Sequence, residues 1–284
     1  PGTGKSLVIH QLAHLAAERF RLSAGIDVQD VPFRGVQEAL VEVLAGRVDF
    51  FFPPALPAME FLIMPGADRT FASMDLPGLA ATAPQVGVSP DGRSIALVLT
   101  TPDGRRFLGI RALDAGLPRP IAGTDGANSW PFWSPDGRSL GFFADGAIRR
   151  VDLSGGPVQR IARAEETLGG AWSSSGTIVF SERYALFQVP ASGGTPALVA
   201  SLDLSRQENS LRLPEFLPDG RHFLYLARSG RPDNSGAYLA SIDRGAPKRI
   251  LNTRWPVRYV SPDTLMFVRD DILLAQPFDI ERGT

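Results

Sequence analysis

The sequence predicts a mainly β chain in which short antiparallel units follow one another. Three observations support this prediction. A five-residue turn motif recurs along the chain, glycine and proline are abundant, and no apolar pattern of helical period and length occurs between residues 84 and 276. The 29 glycines and 24 prolines suit a protein with many tight turns.

The turn motif sets the length of the repeat. It is complete at Ser89–Arg93, Ser134–Arg138 and Leu217–Arg221, and degenerate at Ser173–Gly176 and Ser261–Thr264. The steps between positions 92, 137, 176, 220 and 264 are 45, 39, 44 and 44 residues. Four-stranded propeller blades recur at about 40 to 45 residues. The sequence therefore predicts a β-propeller with about five visible four-stranded blade units over residues 84–284.

Each residue type of the motif suits a tight turn. Proline sets φ at the second position, aspartate accepts hydrogen bonds from nearby groups, and glycine adopts positive φ. We therefore interpret these residues as structural and not catalytic. They are Pro90, Asp91, Gly92, Pro135, Asp136, Gly137, Pro218, Asp219 and Gly220.

The second unit shows the order of the strands within a blade. Its four predicted strands are Trp130–Trp133, Ser139–Phe143, Ala147–Asp152 and Pro157–Ile161, separated by hairpin turns. The first, third and fourth units repeat this order, with strands at Gln85–Val88, Ser94–Leu99, Arg106–Ala112 and Arg119–Ala122; at Gly170–Trp172, Thr177–Ser181, Ala185–Val189 and Pro196–Val199; and at Leu213–Leu217, His222–Ala227, Ala237–Ile242 and Lys248–Leu251.

The fifth unit ends early in its strand pattern. Its last predicted strand is Asp271–Gln276, so an outer strand is missing. We expect Arg69–Leu76 to supply that strand from the N-terminal side and so to close the ring. Residues 61–83 are accordingly interpreted as a linker with a possible closing strand.

Three segments carry a resemblance to known propellers. Trp133–Arg138, Phe216–Tyr225 and Leu273–Asp279 resemble the WD40-like Pro-Asp repeats of the periplasmic TolB propeller, and still more those of propellers that follow bacterial serine/threonine kinase domains. The Gly-His and Trp-Asp signature of eukaryotic WD40 blades is absent. The resemblance implies six or more blades and a location outside the cytoplasm. We therefore expect a truncated ring whose end blades expose strand edges and lower its solubility.

The first 60 residues differ in kind from the repeats. Ser6–Leu22 and Val36–Leu44 show helical spacing, whereas Ile26–Phe33 and Val48–Phe52 are extended and apolar, which predicts a small α/β segment. Pro1–Ser6 matches the end of a P-loop, so a nucleotide-binding function is one alternative. The first glycine of the P-loop motif and the strand before it are missing, which disfavours that alternative.

A second resemblance covers this segment. His14–Glu18, Ala24–Asp27, Val31–Gly35 and Ala39–Asp49 resemble extracytoplasmic receptors of tripartite tricarboxylate transporters. The resemblance implies a carboxylate ligand held by the turn before the first helix, at Thr3, Gly4 and Ser6. A substrate-binding component of such an uptake system is therefore a further alternative. Because the pattern ends after Phe52 and a cleft needs both lobes, we expect no dicarboxylate binding unless the missing lobe is supplied.

Composition excludes several classes of function. With 29 basic and 30 acidic residues, the chain has no overall charge that would attract nucleic acid. It contains no cysteine, so thiol catalysis and disulfides are excluded. The apolar stretch Phe50–Met64 contains three prolines and is too short to span a bilayer. No cofactor is predicted, and we found neither a Gly-x-Ser-x-Gly elbow nor kinase signatures.

The remaining conspicuous residues are assigned to packing or to surface roles. His10 and His14 lie four residues apart, but without a further ligand pattern we predict no metal site. The aromatic rings of Trp130, Trp133, Trp172 and Trp255 are expected to pack between blades rather than to grip a ligand. The loops at Ala200–Leu211 and Ser229–Ser235 are candidates for contact with a protein partner. The sequence thus predicts a non-enzymatic interaction or sensing module.

Overall fold

The computed structural model describes the short strands at residues 70–71 and 73–74 and the range 83–284. Within that range it does not describe residues 114–116, 244, 261, 270 and 271. The predictions made for residues 1–60, including those for Thr3, Gly4, Ser6, His10 and His14, lie outside the described residues. The strands of the described part are β1 (Thr70–Phe71), β2 (Ser73–Met74), β3 (Ala83–Pro84), β4 (Val86–Val88), β5 (Ser94–Thr100), β6 (Arg106–Ala112), β7 (Arg119–Pro120), β8 (Phe132–Trp133), β9 (Ser139–Ala144), β10 (Ala147–Asp152), β11 (Gln159–Arg163), β12 (Gly170–Trp172), β13 (Thr177–Glu182), β14 (Ala185–Pro190), β15 (Ala197–Ser201), β16 (Glu208–Phe216), β17 (His222–Ser229), β18 (Gly236–Ser241), β19 (Lys248–Asn252), β20 (Arg258–Val260), β21 (Thr264–Arg269) and β22 (Ile272–Pro277).

These strands form five consecutive antiparallel sheets, which are the blades of a β-propeller. The first sheet contains β4 to β7, the second β8 to β11, the third β12 to β15, the fourth β16 to β19 and the fifth β20 to β22. Within each sheet every strand pairs with its neighbour in sequence, so each blade is a meander of hairpins. The predicted fold class is therefore confirmed.

The cores between the blades follow from strict alternation along the strands. Phe142 packs with Val98 and Leu108 of the first sheet. The next residue, Phe143, points to the opposite face and packs with Ile178 and Phe180 of the third sheet. Successive side chains of a strand point to opposite faces, so the second blade buries apolar residues against both of its neighbours. Two further clusters join the third sheet to the fourth and the fourth to the fifth.

The expected closing strand lies elsewhere. In β1, Thr70 pairs with Thr100 and Phe71 with Leu99, on the edge of β5 that also pairs with β4. Residues 73–74 pair instead with residues 83–84 in a separate two-stranded sheet. The fifth sheet has three strands within the described residues. The prediction that Arg69–Leu76 completes the last blade was wrong for the described residues of that segment, because an open edge of β5 takes the strand instead.

The first strand of the fourth sheet is longer than predicted. β16 begins at Glu208 instead of Leu213, because the polar residues Glu208 and Ser210 are buried there and hydrogen-bonded. β17 likewise continues to Ser229. The predicted loop 200–211 is therefore reduced to residues 202–207, which contain a 3-10 helix at Leu204–Arg206. The second predicted loop contains another 3-10 helix, at Pro232–Asn234.

In each complete Pro-Asp turn, the backbone N–H of the arginine donates to Oδ1 of the aspartate. In the second sheet, Ser134 Oγ and Arg138 N both donate to Asp136 Oδ1, at 2.6 and 3.1 Å. Ser139 N then donates to Ser134 Oγ at 2.9 Å. The turn of the first sheet repeats these contacts with Ser89, Asp91, Arg93 and Ser94. In the turn of the fourth sheet, Asp219 Oδ1 accepts from Arg221 N and His222 N.

The tryptophans divide between packing and exposure. Trp133 is buried in the core between the first and second sheets, and Trp172 packs against the core between the second and third. Trp255 departs from the expectation, since it is 40% exposed in the connection between the fourth and fifth sheets. That connection extends past the end of the neighbouring strands, so the wedge between blades does not enclose the ring.

Candidate functional site

The connections between strands divide between two faces of the propeller. In a meander, the link from the first to the second strand and the link from the third to the fourth lie at one end of the sheet. We call this end the turn face, because it carries the Pro-Asp turns. The other end, the loop face, consists of residues 101–105, 121–131, 145–146, 164–169, 183–184, 202–207, 230–235 and 253–257.

Hydrogen bonds join neighbouring blades at each of the two faces. On the loop face, Ser129 Oγ donates to the carbonyl oxygen of Thr167 at 3.2 Å. On the turn face, Ser173 Oγ donates to the carbonyl oxygen of Gly220 at 2.5 Å. Since each bond joins like ends of neighbouring sheets, the loops of successive blades gather on one surface.

Both predicted partner-contact loops lie on the loop face and are bonded to each other. Ser229 Oγ lies 2.9 Å from the carbonyl oxygens of Arg206 and Gln207. Asn234 Nδ2 donates to the Arg206 carbonyl at 2.8 Å. These bonds fix the loop at 202–207 against the loop at 230–235.

The 3-10 helix of residues 204–206 presents an apolar side chain to solvent. Asp203 caps this helix, with Ser205 N donating to Asp203 Oδ1 at 2.9 Å. The hydrogen bond from the Ser205 hydroxyl lowers the pKa of the Asp203 carboxyl. Leu204, the first residue of the helix, is 77% exposed. A well-anchored loop thus displays a leucine outward, and loops held on a rigid scaffold are where binding residues concentrate.

A second feature of the loop face lies where the second sheet meets the third. Glu165 forms ion pairs with Arg163 at 2.8 Å and Arg183 at 3.1 Å. The hydrogen bond from Arg163 and then its positive charge lower the pKa of the Glu165 carboxyl. These residues line a shallow groove of about 420 Å³ together with Tyr184, which is 63% exposed. The groove combines a fixed charge pattern with an exposed aromatic ring.

Of the five non-glycine residues with positive φ in the described part of the chain, four lie on the same surface and the fifth, Leu213, lies in β16. Asp145, Glu166, Arg183 and Gln207 have φ between 48° and 54°, a region that side-chain-bearing residues rarely adopt. All four lie in connections of the loop face. Such residues cost free energy and occur often at functional sites, where the surrounding structure holds them. Their positions single out the loop face as the candidate site.

A groove of about 430 Å³ on the turn face separates the first and second sheets. Pro90, Asp91, Pro135, Asp136 and Gly137 of the two Pro-Asp turns line it. The Oδ1 atoms of both aspartates accept hydrogen bonds inside their own turns. In each case the bond from the serine hydroxyl is the main reason that the carboxyl pKa is lowered. These carboxylates are therefore engaged in turn geometry.

The described residues contain no cluster of three or more histidine and acidic side chains that could hold a metal ion. His222, the histidine within this part of the chain, instead places Nδ1 2.5 Å from Asp219 Oδ2. None of the helices in this part of the chain is long and apolar enough to cross a membrane.

Comparison with known proteins shows similarity of fold. TolB from Acinetobacter baumannii is 17% identical, with a TM-score of 0.50 over 69% of this chain and 52% of that one. TolB from Agrobacterium tumefaciens is 18% identical, with a TM-score of 0.49 over 60% of this chain and 66% of that one. Hydrazine synthase of Kuenenia stuttgartiensis is 16% identical, with a TM-score of 0.50 over 69% of this chain and 57% of that one.

This chain therefore spans 66% and 52% of the two TolB chains. No protein-family model and no curated protein matches the sequence. Because these structures include an enzyme beside TolB, the similarity establishes a TolB-like propeller fold and leaves activity to be argued from the site.

The sequence predicted two connections of the loop face as candidates for partner contact, but it singled out neither of the exposed apolar side chains, Leu204 and Tyr184. Leu204 was inside the predicted loop without being singled out, and Tyr184 was assigned to no site. A signal was present, because Tyr184 follows Glu182-Arg183 in a hairpin turn, where an aromatic ring has little opportunity for burial. Positive φ at Arg183 could not be read from the sequence, since arginine has no preference for it.

Proposed function

We propose that this chain is a non-enzymatic protein-interaction module and that its loop face binds a protein partner outside the cytoplasm. The observation that carries the proposal is the exposure of Leu204 and Tyr184 on anchored loops of one face. Aromatic and aliphatic side chains held on rigid loops bind partners with little loss of conformational entropy. The location outside the cytoplasm rests on the resemblance of the repeats to TolB.

Electrostatics support a protein partner over a polyanion. The chain carries a formal net charge of −1 at pH 7. On the loop face, Glu165 forms ion pairs with both Arg163 and Arg183, and Asp145 forms one with Arg149 at 2.7 Å. A surface of locally paired charges with exposed apolar residues resembles the rim and core of a protein interface.

The N-terminal segment contributes a separate proposal. By its resemblance to transporter receptors, residues 1–60 are a fragment of a solute-binding lobe, with Thr3, Gly4 and Ser6 as carboxylate contacts. The proposal for the propeller does not depend on the N-terminal segment, because the propeller residues that support it lie between 145 and 235.

The experiment compares capture by three forms of the immobilised chain from a bacterial periplasmic extract. They are the wild type, a loop-face variant with Tyr184→Asp and Leu204→Asp, and a turn-face control, Leu117→Asp. Leu117 is 61% exposed, close to the 63% of Tyr184, so the control changes an apolar residue of similar exposure on the other face. Circular dichroism checks that all three forms are folded.

The proposal predicts that the wild type and Leu117→Asp enrich the same protein and that the loop-face variant does not. Two charges placed in the centre of a protein interface remove apolar contacts and leave desolvated carboxylates, so we expect at least about tenfold weaker capture. Equal enrichment by all three forms, or loss with Leu117→Asp alone, contradicts the proposal.

A further inference from the structure

Two arginines are buried side by side between the fourth and fifth sheets. Arg212 lies on β16 and Arg228 on β17, and each is 6% exposed. Arg228 pairs in register with Ser210, two residues before Arg212, so all three side chains lie on one face of the sheet. The opposite face carries Leu211 and Ala227, which pack toward the third sheet. The arginines therefore face the fifth sheet.

Two irregularities in the strand pairing bracket this part of β16. The register shifts between Glu208 and Ser210, and again between Arg212 and Glu215. Leu213, inside the second irregularity, has φ of 50° and donates its N–H to the Leu168 carbonyl. β-bulges redirect side chains, and they are common next to functional sites. Between the two irregularities, the regular pairing of Ser210 with Arg228 and of Arg212 with Leu226 keeps Ser210 and Arg212 on the same face as Arg228.

Within the described residues, neither guanidinium has an ion-pair partner. Arg212 Nε donates to Ser210 Oγ at 2.7 Å, and its two terminal nitrogens find no acceptor there. Arg228 donates one weak bond, at 3.4 Å, to the Arg254 carbonyl oxygen, and its Nε is buried without any partner. Arg228 Nε is thus a fully enclosed donor without a partner, and no hydrogen bond within the described residues uses the terminal nitrogens of Arg212.

The two nearest carboxylates along β16 are engaged elsewhere. Glu208 accepts a 2.9 Å hydrogen bond from Tyr238 Oη on the side of the third sheet. Glu215 pairs with Arg258 at 2.5 Å. Burial, followed by the positive charge of Arg228, lowers the pKa of Arg212 to about 10. Burial, followed by the charge of Arg254, also lowers the pKa of Arg228.

We propose that Arg212 and Arg228 form an anion-binding site that takes one oxyanion group, a carboxylate or a phosphate. Removing an unpaired guanidinium from water is unfavourable, and a bound anion offsets that cost. Planar guanidinium groups match carboxylate and phosphate oxygens with paired hydrogen bonds. The Ser210 hydroxyl accepts from Arg212 Nε and donates to Asn209 Oδ1 at 3.1 Å, so it positions the Arg212 guanidinium. The site is independent of the proposed partner contact, since it involves neither Leu204 nor Tyr184.

Access is from the loop face. β16 begins and β17 ends at that face, and Arg228 is the penultimate residue of β17. The exposed Arg254 lies in the connection from the fourth to the fifth sheet and adds positive charge at the entrance. An anion arriving from solvent therefore meets an attractive field before it reaches the buried pair.

The test is calorimetric titration of the full chain with inorganic phosphate and, separately, with acetate, against chloride at the same ionic strength. Thermal unfolding of the same samples gives a second measurement. At about ten times the dissociation constant, a ligand that binds only the folded state raises the melting temperature by a few degrees. Whichever of phosphate and acetate binds more tightly identifies the class of oxyanion.

The variants are Arg212→Met and a matched control, Arg105→Met, whose arginine is exposed and paired with Asp103. We expect Arg212→Met to abolish the anion effect and Arg105→Met to keep it. If Arg212→Met does not fold, Arg212→Lys is the variant to measure. Because lysine lacks the planar guanidinium, we expect it to bind the anion about tenfold more weakly. Absence of any specific effect of both anions on the wild type overturns the proposal, as does an unchanged effect in the Arg212 variants.

Discussion

The indole Nε1 of Trp133 donates a 2.9 Å hydrogen bond to the carbonyl oxygen of Gly87, so the first strands of two neighbouring blades are joined directly. The ring itself lies in the core between those blades. A Cβ atom at position 87 would lie 2.5 Å from the Pro131 carbonyl oxygen, which shows how closely the strands approach. One aromatic residue thus supplies both apolar packing and a polar link across the blade boundary.

Trp133→Phe tests this link. The substitution keeps a ring in the core but removes the donor, leaving the Gly87 carbonyl oxygen without this bond. We expect a loss of about 1 to 3 kcal/mol in the free energy of unfolding, the usual cost of an unsatisfied buried group plus lost ring volume. Urea unfolding monitored by circular dichroism measures it. A variant as stable as the wild type would show that the bond contributes nothing.

Gly141→Ala tests the packing inside the second sheet. A Cβ atom at Gly141 would lie 2.1 Å from the ring of Phe132, which is itself buried. We expect a loss of about 2 kcal/mol or more, since overpacking in a core typically costs 1 to 3 kcal/mol. Chemical denaturation gives the value.

The matched control for that substitution is Gly230→Ala. A Cβ atom at Gly230 has no neighbour within 4 Å, and its φ lies outside the positive region. We expect a change within about 0.5 kcal/mol. If both alanine variants are equally stable, the close approach of Phe132 to Gly141 is not present in solution.

Tyr238→Phe tests the buried hydrogen bond to Glu208. Removing the hydroxyl leaves Glu208 Oε1 without its 2.9 Å donor, and Glu208 is buried. Burial, and then the bond to Glu208, raise the pKa of Tyr238 to about 12. We expect a loss of about 1 to 3 kcal/mol. Tyr184→Phe, at an exposed ring, is the control and should leave stability unchanged.

The turn of the second sheet gives a pH-dependent prediction. The bond from Ser134 Oγ, followed by the bond from Arg138 N, lowers the pKa of Asp136 below its ordinary value of 3.8. A carboxyl whose pKa is lower in the folded state stabilises it above the unfolded value, and this contribution is lost as pH falls through the folded pKa. Asp136→Ala should therefore lower the melting temperature by about 3 °C at pH 7 and by less below pH 3.8.

Asp125→Ala is the control for this measurement, because the Asp125 carboxylate accepts no hydrogen bond among the described residues and the residue is exposed. Its melting temperature should follow the wild type across the pH range. A difference between Asp136→Ala and the wild type that is independent of pH would contradict a stabilising role for the charged carboxylate.

The repeat could be predicted from sequence because its information is local. Ser134, Asp136 and Arg138 bond to one another within five residues, so the motif specifies its own turn. The apolar run of β9 likewise predicts burial on both faces of the sheet, because successive side chains point to opposite faces. The start of β16 could not be predicted in this way, because Glu208 and Ser210 are polar and are satisfied by side chains that the sequence alone does not place beside them.

The course of β1 was also beyond local reasoning. A short strand could pair with the edge of β5 or with the edge of the fifth sheet. Which edge it joins depends on the arrangement of all the sheets. The arginine site has a partial signal in the sequence. Arg228 follows Leu224 and Leu226 at two-residue spacing, which places a charge on an apolar face. Its proximity to Arg212 required the register of β16 with β17.

The most direct test of the partner-binding loop face is hydrogen–deuterium exchange of the chain with and without its captured partner. We expect slower exchange on binding in residues 183–184, 202–207 and 230–235, with the Pro-Asp turns at 89–93 and 134–138 unchanged. Protection confined to those Pro-Asp turns, with the loop-face segments exchanging as in the free chain, would contradict it.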